Sequence, residues 1–379
     1  MKNILKLNEI SPLVADVFKN DYALSADAAD PVAIMVRSFN MHEYSPAKSV
    51  LCVGRAGAGT NNIPVDTYAK QGIVVFNTPG ANANAVKELV ILALLMAARK
   101  VSQGVTWANG LKDGEKTVAE QVEKGKKAFG GNEITGKTLG VYGLGAIGKL
   151  VAFAAKALGM NVCGYDPYLP ETARASFEGV KIVDSKEELF TACDYITFHV
   201  PLTPETKGLV NESTLAIMKD GVKIINCARG ELVDNAAIIA ATESGKVSAY
   251  VTDFPNAEIV GKDAIVCIPH LGASTEEAED NCAVMAAKEI VDYVENGNIV
   301  NSVNFPRVCA EKAAARTLVL FEGEIIGSLT KALVGVKATL TSGMRKNFGA
   351  MIIDTDLPLD NAVLSRISSI DGVIKVRTF

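Results

Sequence analysis

The amino-acid sequence predicts an α/β protein with a doubly wound parallel sheet in mid-chain, an α/β segment before it and a small α+β domain after it. Three observations lead to this prediction. Short apolar runs of strand length alternate with helical stretches up to about residue 300. A glycine-rich turn joins one of these strands to a helix between residues 138 and 168. From about residue 316 the order of the predicted elements changes to βαββαβ.

The first segment, residues 1–93, has α/β patterning of its own. Its clearest predicted strands are 33–36, 49–53 and 73–76, and the apolar stretch 85–96 predicts a buried helix. Polar and Lys-rich residues follow at 110–133, where we expect a solvated helix and a connecting loop.

The mid-chain segment predicts a strand at 139–142, a helix at 146–158 and a second strand at 161–165. The turn between the first strand and the helix has the spacing G-x-G-x-x-G. Gly143 permits the tight turn, Gly145 admits a pyrophosphate close to the backbone, and Gly148 lets the helix pack close to the strand. The helix N-terminus adds free N–H groups and partial positive charge. A fortuitous glycine turn would not explain the flanking elements, so the segment predicts a dinucleotide site.

Asp166 ends the second strand of this unit. A carboxylate there can accept hydrogen bonds from both hydroxyls of the adenosine ribose, and it repels a 2′-phosphate. The predicted cofactor is therefore NAD rather than NADP.

The remaining elements complete this sheet and then build the tail. Apolar runs at 181–183, 195–200, 222–226, 249–253 and 265–268 predict further parallel strands, and 275–296 predicts a helix. A linker at 298–307 follows. Strands are predicted at 317–321, 337–342, 349–354 and 373–379, with helices at 325–333 and 359–370. This order indicates a ferredoxin-like domain at 312–379.

Composition restricts the possible partners. The chain has 379 residues, 49% of them hydrophobic, and a formal net charge of −5, so neither nucleic acid nor a membrane surface is expected as a partner. The seven cysteines include no C-x-x-C pair and are expected to be buried thiols in a reducing compartment. No metal site is predicted. Charges interrupt each apolar run of the N-terminus, so the predicted location is the cytoplasm.

Candidate catalytic residues follow successive predicted strands, at the sheet edge where open α/β sheets bind ligands. They are Arg229, Asp253 with Glu258, and His270. A histidine can exchange a proton with the hydroxyl of a 2-hydroxy acid, a carboxylate can orient the imidazole, and an arginine can bind the substrate carboxylate. His270 could instead be a loop histidine that caps a turn.

Several segments make the sequence resemble the D-isomer-specific 2-hydroxyacid dehydrogenases. They include GRAGAGTNNI, NTPGANANAVKELV, GVYGLGAIG, HVPLTPETKGLV, INCARGELVD, TDFPNAE and PHLGAST, between about residues 30 and 305. The resemblance implies an NAD-dependent enzyme with a Rossmann-type NAD domain at 94–285 and a flavodoxin-like substrate domain at 1–93 plus 286–305. It also implies a homodimer or homotetramer.

Site residues follow from the same resemblance. It implies catalytic roles for Arg229, Glu258 and His270, with Glu258 as the acid paired with the histidine. It implies substrate contacts for Arg37, Ser38, Arg55, Asn82, Arg229 and His270. The residues implied to contact NAD are Gly143, Gly145, Ala146, Ile147, Gly148, Asp166, Val200, Pro201, Thr206, Cys227, Ala228, Asp253, His270 and Gly272.

Arg37 and Arg55 match positions that contact substrate in the family members that oxidise 3-phosphoglycerate, the entry reaction of phosphorylated serine synthesis. Two arginines suit a phosphate dianion, so 3-phosphoglycerate is the predicted substrate. Both could instead form salt bridges within their domain. The tail resembles an ACT domain, but Phe321 and Gly323 replace the His and Asn that bind serine there. Its role could be regulation or only oligomerisation.

Two other functions stay open at this stage. Glyoxylate/hydroxypyruvate reductases and D-lactate dehydrogenases of the same family need no phosphate site. NAD-sensing co-repressors of the same fold bind peptide motifs and keep a similar catalytic set, but lack an ACT-like tail. The two arginines and the tail favour the phosphoglycerate reaction.

Overall fold

The computed structural model describes residues 1–311 and 313–379. These residues form two compact units. The first comprises Met1–Asn82 and Glu276–Phe379, and the second comprises Ala83–Thr275.

The strands, in chain order, are β1 (Lys2–Lys6), β2 (Tyr22–Ser25), β3 (Ala33–Val36), β4 (Cys52–Arg55), β5 (Val74–Phe76), β6 (Thr138–Tyr142), β7 (Asn161–Tyr165), β8 (Lys181–Ile182), β9 (Tyr195–Phe198), β10 (Val222–Asn226), β11 (Val247–Thr252), β12 (Ile265–Cys267), β13 (Ala315–Glu322), β14 (Ala338–Arg345), β15 (Phe348–Thr355) and β16 (Val373–Thr378).

The α-helices are α1 (Ala15–Phe18), α2 (Val65–Lys70), α3 (Ala83–Ala98), α4 (Val101–Asn109), α5 (Val118–Gly125), α6 (Ala146–Ala157), α7 (Glu171–Arg174), α8 (Lys186–Ala192), α9 (Glu212–Ile217), α10 (Asn235–Glu243), α11 (Glu276–Asn296), α12 (Ile326–Ala332) and α13 (Asn361–Ser368). Among the described residues no single helix is long and apolar enough to cross a membrane, although α3 and α4 together, bent by 77°, match by length and composition.

The first unit combines a parallel sheet with an antiparallel one. The parallel sheet has the order β2-β1-β3-β4-β5, which is the flavodoxin-like order that the resemblance implies. The antiparallel sheet has the order β14-β15-β13-β16 and carries α12 and α13, which confirms the predicted α+β tail. Helix α11 packs against β3, β4 and β5. Its buried Ala283, Ala286 and Ala287 belong to one apolar core with Leu318 and Leu320 of β13.

The second unit is a doubly wound parallel sheet with the order β12-β11-β10-β9-β6-β7-β8. The strand order reverses between β6 and β9, the switch point where such sheets bind ligands. Helix α3 packs on α6, β10 and β11. This confirms the predicted Rossmann-type sheet.

The unit boundaries differ from the predicted domain boundaries. The predicted breaks at 93/94 and 285/286 fall inside α3 and α11, whereas the units divide at the first residues of these helices, Ala83 and Glu276. The physical reason is that α3 packs on the second sheet and α11 on the first. Residues 312–379 as a separate domain stay a prediction.

Candidate active site

The glycine turn after β6 provides space for a dinucleotide. Gly143 has φ +95°, and a Cβ at this position would lie 2.6 Å from the carbonyl oxygen of His199. A Cβ at Gly148 would overlap the carbonyl oxygen of Gly143. Gly145 is the N-cap of α6, and no described heavy atom lies within 4 Å of its Cβ position, its chain neighbours aside. The turn thus leaves open the position where a phosphate meets the helix N-terminus, with Ala146 and Ile147 as the first helical residues.

Asp166 is fixed beside this turn. Its Oδ2 accepts a hydrogen bond from the Leu144 N–H at 2.9 Å, and its Oδ1 accepts one from the Tyr168 N–H at 2.9 Å. The carboxylate is half-buried, and each oxygen keeps a further lone pair. Its place at the end of β7 therefore suits ribose hydroxyls.

The loop after β9 borders the same turn. A Cβ at Gly143 would lie 2.8 Å from Cγ1 of Val200. Thr206 Oγ1 donates to the carbonyl of Pro201 at 2.7 Å and accepts from the Thr203 N–H at 2.8 Å, so Thr206 braces this loop. Burial lowers the pKa of His199 to about 3, which keeps its imidazole neutral.

Arg229, Asp253 and His270 lie close together after β10, β11 and β12. Asp253 is 1% exposed, and its Oδ1 has no hydrogen-bond partner within the described residues. Burial raises the pKa of Asp253, and the positive charges of His270 and Arg229 oppose that rise. The exposed His270 ring packs edge-on against Phe254 with centroids 4.7 Å apart. The cluster therefore places an arginine, a buried carboxylate and an accessible imidazole at one sheet edge.

The loop that carries Arg229 is shaped by Asn226, a residue that sequence reasoning missed. Asn226 is fully buried, and its Nδ2 donates to the Arg229 carbonyl at 2.8 Å while its Oδ1 accepts from the Ala228 N–H at 3.2 Å. Arg229 Nη1 donates to the Ala228 carbonyl at 2.6 Å. A polar residue at the end of an apolar strand, directly before Cys227, was the available signal. Burial raises the pKa of the Cys227 thiol.

Glu258 makes its hydrogen bonds with residues outside this cluster. Its carboxylate accepts from Asn235 Nδ2 at 2.7 Å, and its backbone N–H donates to Asn256 Oδ1 at 3.0 Å. Within the described residues no hydrogen bond or ion pair joins Glu258 to His270. The pairing of these two residues stays a prediction, and Asp253 is the carboxylate whose charge interacts with His270. Gly272 lies beside Asp253, and a Cβ at Gly272 would be 3.9 Å from Asp253 Oδ2.

The predicted substrate residues Arg37 and Ser38 follow β3 in the first unit. Asn8 Oδ1 accepts the N–H groups of Arg37, Ser38 and Phe39 at 2.9, 3.0 and 3.1 Å, so one amide sets the course of this loop. Arg37 Nη2 lies 2.6 Å from Oε1 of Glu279 in the first turn of α11. Arg37 thus forms a salt bridge within the first unit, which is the alternative role that the sequence left open for this residue. Nothing local in the sequence indicated Asn8.

The other two predicted substrate residues are also placed at ends of elements. Arg55 ends β4, and its guanidinium extends over Gly57, whose φ is +143° and whose Cβ would overlap Arg55 Nη1. Asn82 is half-buried and immediately precedes α3.

The second unit offers a donor and acceptor set that fits NAD. The open Gly145 position and the α6 N-terminus fit a pyrophosphate, and Asp166 fits the ribose. The unpartnered Asp253 Oδ1 fits an amide N–H such as that of the nicotinamide carboxamide. Among the described side chains no group of three or more His, Cys, Asp and Glu could hold a metal ion.

Most of the second unit is similar to a known family of domains. Residues 91–272 match the family model of the D-isomer specific 2-hydroxyacid dehydrogenase, NAD binding domain. The D-3-phosphoglycerate dehydrogenase of Methanocaldococcus jannaschii is 38% identical over 289 residues, which are 75% of this chain and 53% of that protein. The enzyme of the same name from Sus scrofa is 35% identical over 321 residues, or 82% and 58%. The chain spans little more than half the length of these curated relatives.

Solved structures agree in fold. A glyoxylate reductase from Paecilomyes thermophila superposes with a TM-score of 0.66 at 26% identity, over 80% of this chain and 98% of that one. An NAD+-bound 3-phosphoglycerate dehydrogenase from Entamoeba histolytica gives 0.62 at 27% identity with the same coverage.

Proposed function

We propose that this protein oxidises 3-phospho-D-glycerate to 3-phosphohydroxypyruvate with NAD, because residues 91–272 match the family model of the D-isomer specific 2-hydroxyacid dehydrogenase, NAD binding domain. The observation that carries the proposal is the cluster of Arg229, Asp253 and His270 at the edge of a dinucleotide-binding sheet. The curated relatives named D-3-phosphoglycerate dehydrogenase support the choice of substrate. The reaction would be the first step of phosphorylated serine biosynthesis.

The residues of the cluster divide the chemistry among them. His270 accepts the proton of the substrate 2-hydroxyl, for which an exposed imidazole is suited. The Asp253 carboxylate favours the resulting imidazolium. Arg229 binds the substrate carboxylate and polarises the oxygen that becomes the carbonyl. The glycine turn and Asp166 would hold NAD, which would supply the hydride acceptor for C2.

Arg37 and Arg55 are proposed to bind the phosphate. Guanidinium groups suit this task because they offer several N–H donors in one plane and keep their charge. Ser38 and Asn82 would add neutral hydrogen bonds. Arg55→Ala is expected to raise KM for 3-phosphoglycerate far more than KM for an unphosphorylated 2-hydroxy acid, and equal effects on both would contradict the phosphate role.

A steady-state assay tests the proposed reaction. NADH formation is expected with 3-phosphoglycerate and NAD, and little with D-lactate or D-glycerate. Equal or greater turnover of the unphosphorylated acids would refute the substrate assignment. Absence of turnover with every 2-hydroxy acid, while NAD still binds, would favour an NAD-sensing protein instead.

One observation favours a second candidate, reduction of an unphosphorylated 2-oxo acid such as glyoxylate or hydroxypyruvate. The Arg37 guanidinium is already paired with Glu279, and a carboxylate at that position opposes the binding of a dianion. The same assay run in reverse with NADH, glyoxylate and phosphohydroxypyruvate separates the two.

The assembly and location are part of the same proposal. We propose a homodimer or homotetramer in the cytoplasm. Size-exclusion chromatography with light scattering measures the mass of the assembly, and a monomer at micromolar concentration would contradict it.

A further inference from the structure

The side chain of Phe254 contacts two loops of the proposed active site. Its ring centroid is 4.7 Å from the centroid of the His270 imidazole, and the two ring planes make an angle of 63°. Its Cβ would lie 3.2 Å from a Cβ built at Gly230, the residue directly after Arg229. All of these residues belong to the second unit. Phe254 therefore joins the loop of the proposed general base to the loop of the proposed carboxylate-binding arginine.

The backbone of Phe254 is held in place by its neighbours in the chain. Its N–H donates to Oγ1 of Thr252 at 3.1 Å, and Thr252 is a fully buried residue of β11. Pro255 follows, and a residue before proline is restricted to extended conformations. The close approach to Gly230 is possible because glycine has no side chain. The phenyl ring is thus carried by a constrained segment of backbone.

The imidazole of His270 has little other support. His270 is exposed, and among the described residues no hydrogen bond is made by its ring. The Leu271 N–H donates to the Pro269 carbonyl at 2.8 Å, so His270 is the middle residue of a tight turn. Asp253 supplies a nearby charge, but its Oδ1 has no hydrogen-bond partner within the described residues. The contact with Phe254 is therefore the interaction that restricts the orientation of the imidazole.

We propose that Phe254 is a positioning residue, whose ring holds the His270 imidazole at the angle at which it accepts the proton of the substrate 2-hydroxyl. This inference rests on the proposed function. A general base has to lie within hydrogen-bond reach of the proton that it takes. A displacement of about 1 Å can lower the rate on the order of 10²-fold. The phenyl ring takes no part in the proton transfer, so its loss is expected to lower kcat rather than the affinity for substrate or NAD.

Steady-state kinetics and calorimetric titration with NAD test the effect on catalysis. Phe254→Leu keeps an apolar side chain and removes the ring, so kcat is expected to fall by about ten- to 100-fold while KM and the NAD Kd change by less than about twofold. Phe254→Tyr keeps the ring and should retain kcat within about threefold. A cavity of about 470 Å³, bordered by Phe254 and Asn256, offers room for the added hydroxyl.

A matched control removes an aromatic ring elsewhere in the second unit. Phe129 pairs with Trp107 at a centroid distance of 5.0 Å, outside the proposed active site. Phe129→Leu is expected to leave kcat, KM and the NAD Kd unchanged. If Phe254→Leu does not fold, Phe254→Met, which also removes the ring, takes its place.

Nuclear magnetic resonance tests the ring contact without any substrate. The chain has three histidines, so the His270 ring signals can be assigned by comparison with His270→Gln. A nuclear Overhauser effect between the ring protons of Phe254 and His270 is expected in the wild-type protein. In Phe254→Leu the His270 signals should lose the shift that a neighbouring aromatic ring induces, while the signals of His42 and His199 stay in place.

Three results would overturn the inference. The first is a wild-type protein without the Overhauser effect between the two rings. The second is a Phe254→Leu kcat close to the wild-type value although the ring-induced shift is lost. The third is a loss of kcat that Phe254→Tyr shares, or that is matched by an equal loss of NAD affinity, because either would indicate a general disturbance of the fold.

Failure of the proposed function gives a different result. If the wild-type protein oxidises another 2-hydroxy acid instead of 3-phosphoglycerate, only the substrate assignment is refuted, and the variants are compared with that acid. Absence of turnover with every 2-hydroxy acid would overturn the inference together with the proposed function.

Discussion

The carboxylate of Glu279 holds the guanidinium of Arg37, with Oε1 2.6 Å from Nη2. The two side chains are 42% and 35% exposed, so water screens the pair and an incoming anion can compete for the arginine. An acidic side chain at this point weakens the attraction of a dianion while it keeps the arginine in place. On the proposal that Arg37 binds the phosphate, Glu279 sets how strongly it does so.

Glu279→Gln is expected to lower KM for 3-phosphoglycerate by up to about fivefold, because an exposed ion pair contributes about 1 kcal/mol or less. KM for D-glycerate should change little. Glu277→Gln, which removes an exposed charge from the same helix turn, is the matched control. An equal change for both substrates, or in both variants, would mean that Arg37 does not bind the phosphate.

The two candidate acids can be separated by substitution. Asp253→Asn is expected to lower kcat by about 10²-fold or more, because it removes the charge that acts on His270. Glu258→Gln should cost less than about tenfold, since the Glu258 carboxylate is held by Asn235 at 2.7 Å. Steady-state kinetics at saturating NAD measure both. A larger loss of kcat for Glu258→Gln than for Asp253→Asn would support the pairing of Glu258 with His270 that the family resemblance implies.

Glu289 makes the stability of the first unit depend on pH. It is 9% exposed, its Oε2 has no partner within the described residues, and burial raises its pKa to about 7 from 4.5. The folded state therefore binds the proton more tightly than the unfolded state, so stability falls as pH rises from about 4.5 to about 7.

Glu289→Gln should remove this dependence. At pH 8 the variant is expected to have a higher Tm than the wild type, with a free energy of unfolding larger by up to about 3 kcal/mol, and near pH 4 the two Tm values should be equal. Thermal unfolding in buffers of constant ionic strength measures the difference. A difference that does not vary with pH would show that Glu289 is ionised in the folded state throughout.

The tail is expected not to respond to L-serine. Phe321, at the position of the usual histidine, is fully buried, and a Cβ at Gly349 would overlap its ring. Position 321 is thus part of the core of the antiparallel sheet rather than a ligand contact. Neither the rate nor the Tm should change on titration with L-serine. Saturable inhibition would refute this prediction.

How much of the structure could be predicted depended on the range of the interactions involved. The strands at 161–165 and 222–226 were predicted to the residue, because buried parallel strands are continuous apolar runs between turns. Strand β1 was missed because Lys2, Asn3 and Lys6 leave only a short apolar run between them. Helix α4 was also not predicted.

The residues of the candidate site were likewise predictable only where their roles depend on neighbours in the sequence. The glycine turn and Asp166 were recognisable because their roles depend on neighbours in the chain. The pairs Arg37–Glu279 and Asn235–Glu258 join residues from different elements, and no local pattern marks them. The single amide of Asn8 that receives three backbone N–H groups belongs to the same class.

Helix α11 has a mechanical consequence within the first unit. Its last turn is bound by Arg377 of β16, whose guanidinium donates to the carbonyls of Tyr293 and Val294 at 3.2 and 2.9 Å. Its first turn carries Glu279, whose carboxylate forms the ion pair with Arg37. A helix of 21 residues is about 30 Å long and stiff along its axis. A single stiff helix therefore connects the antiparallel sheet to the arginine that is proposed to bind the phosphate.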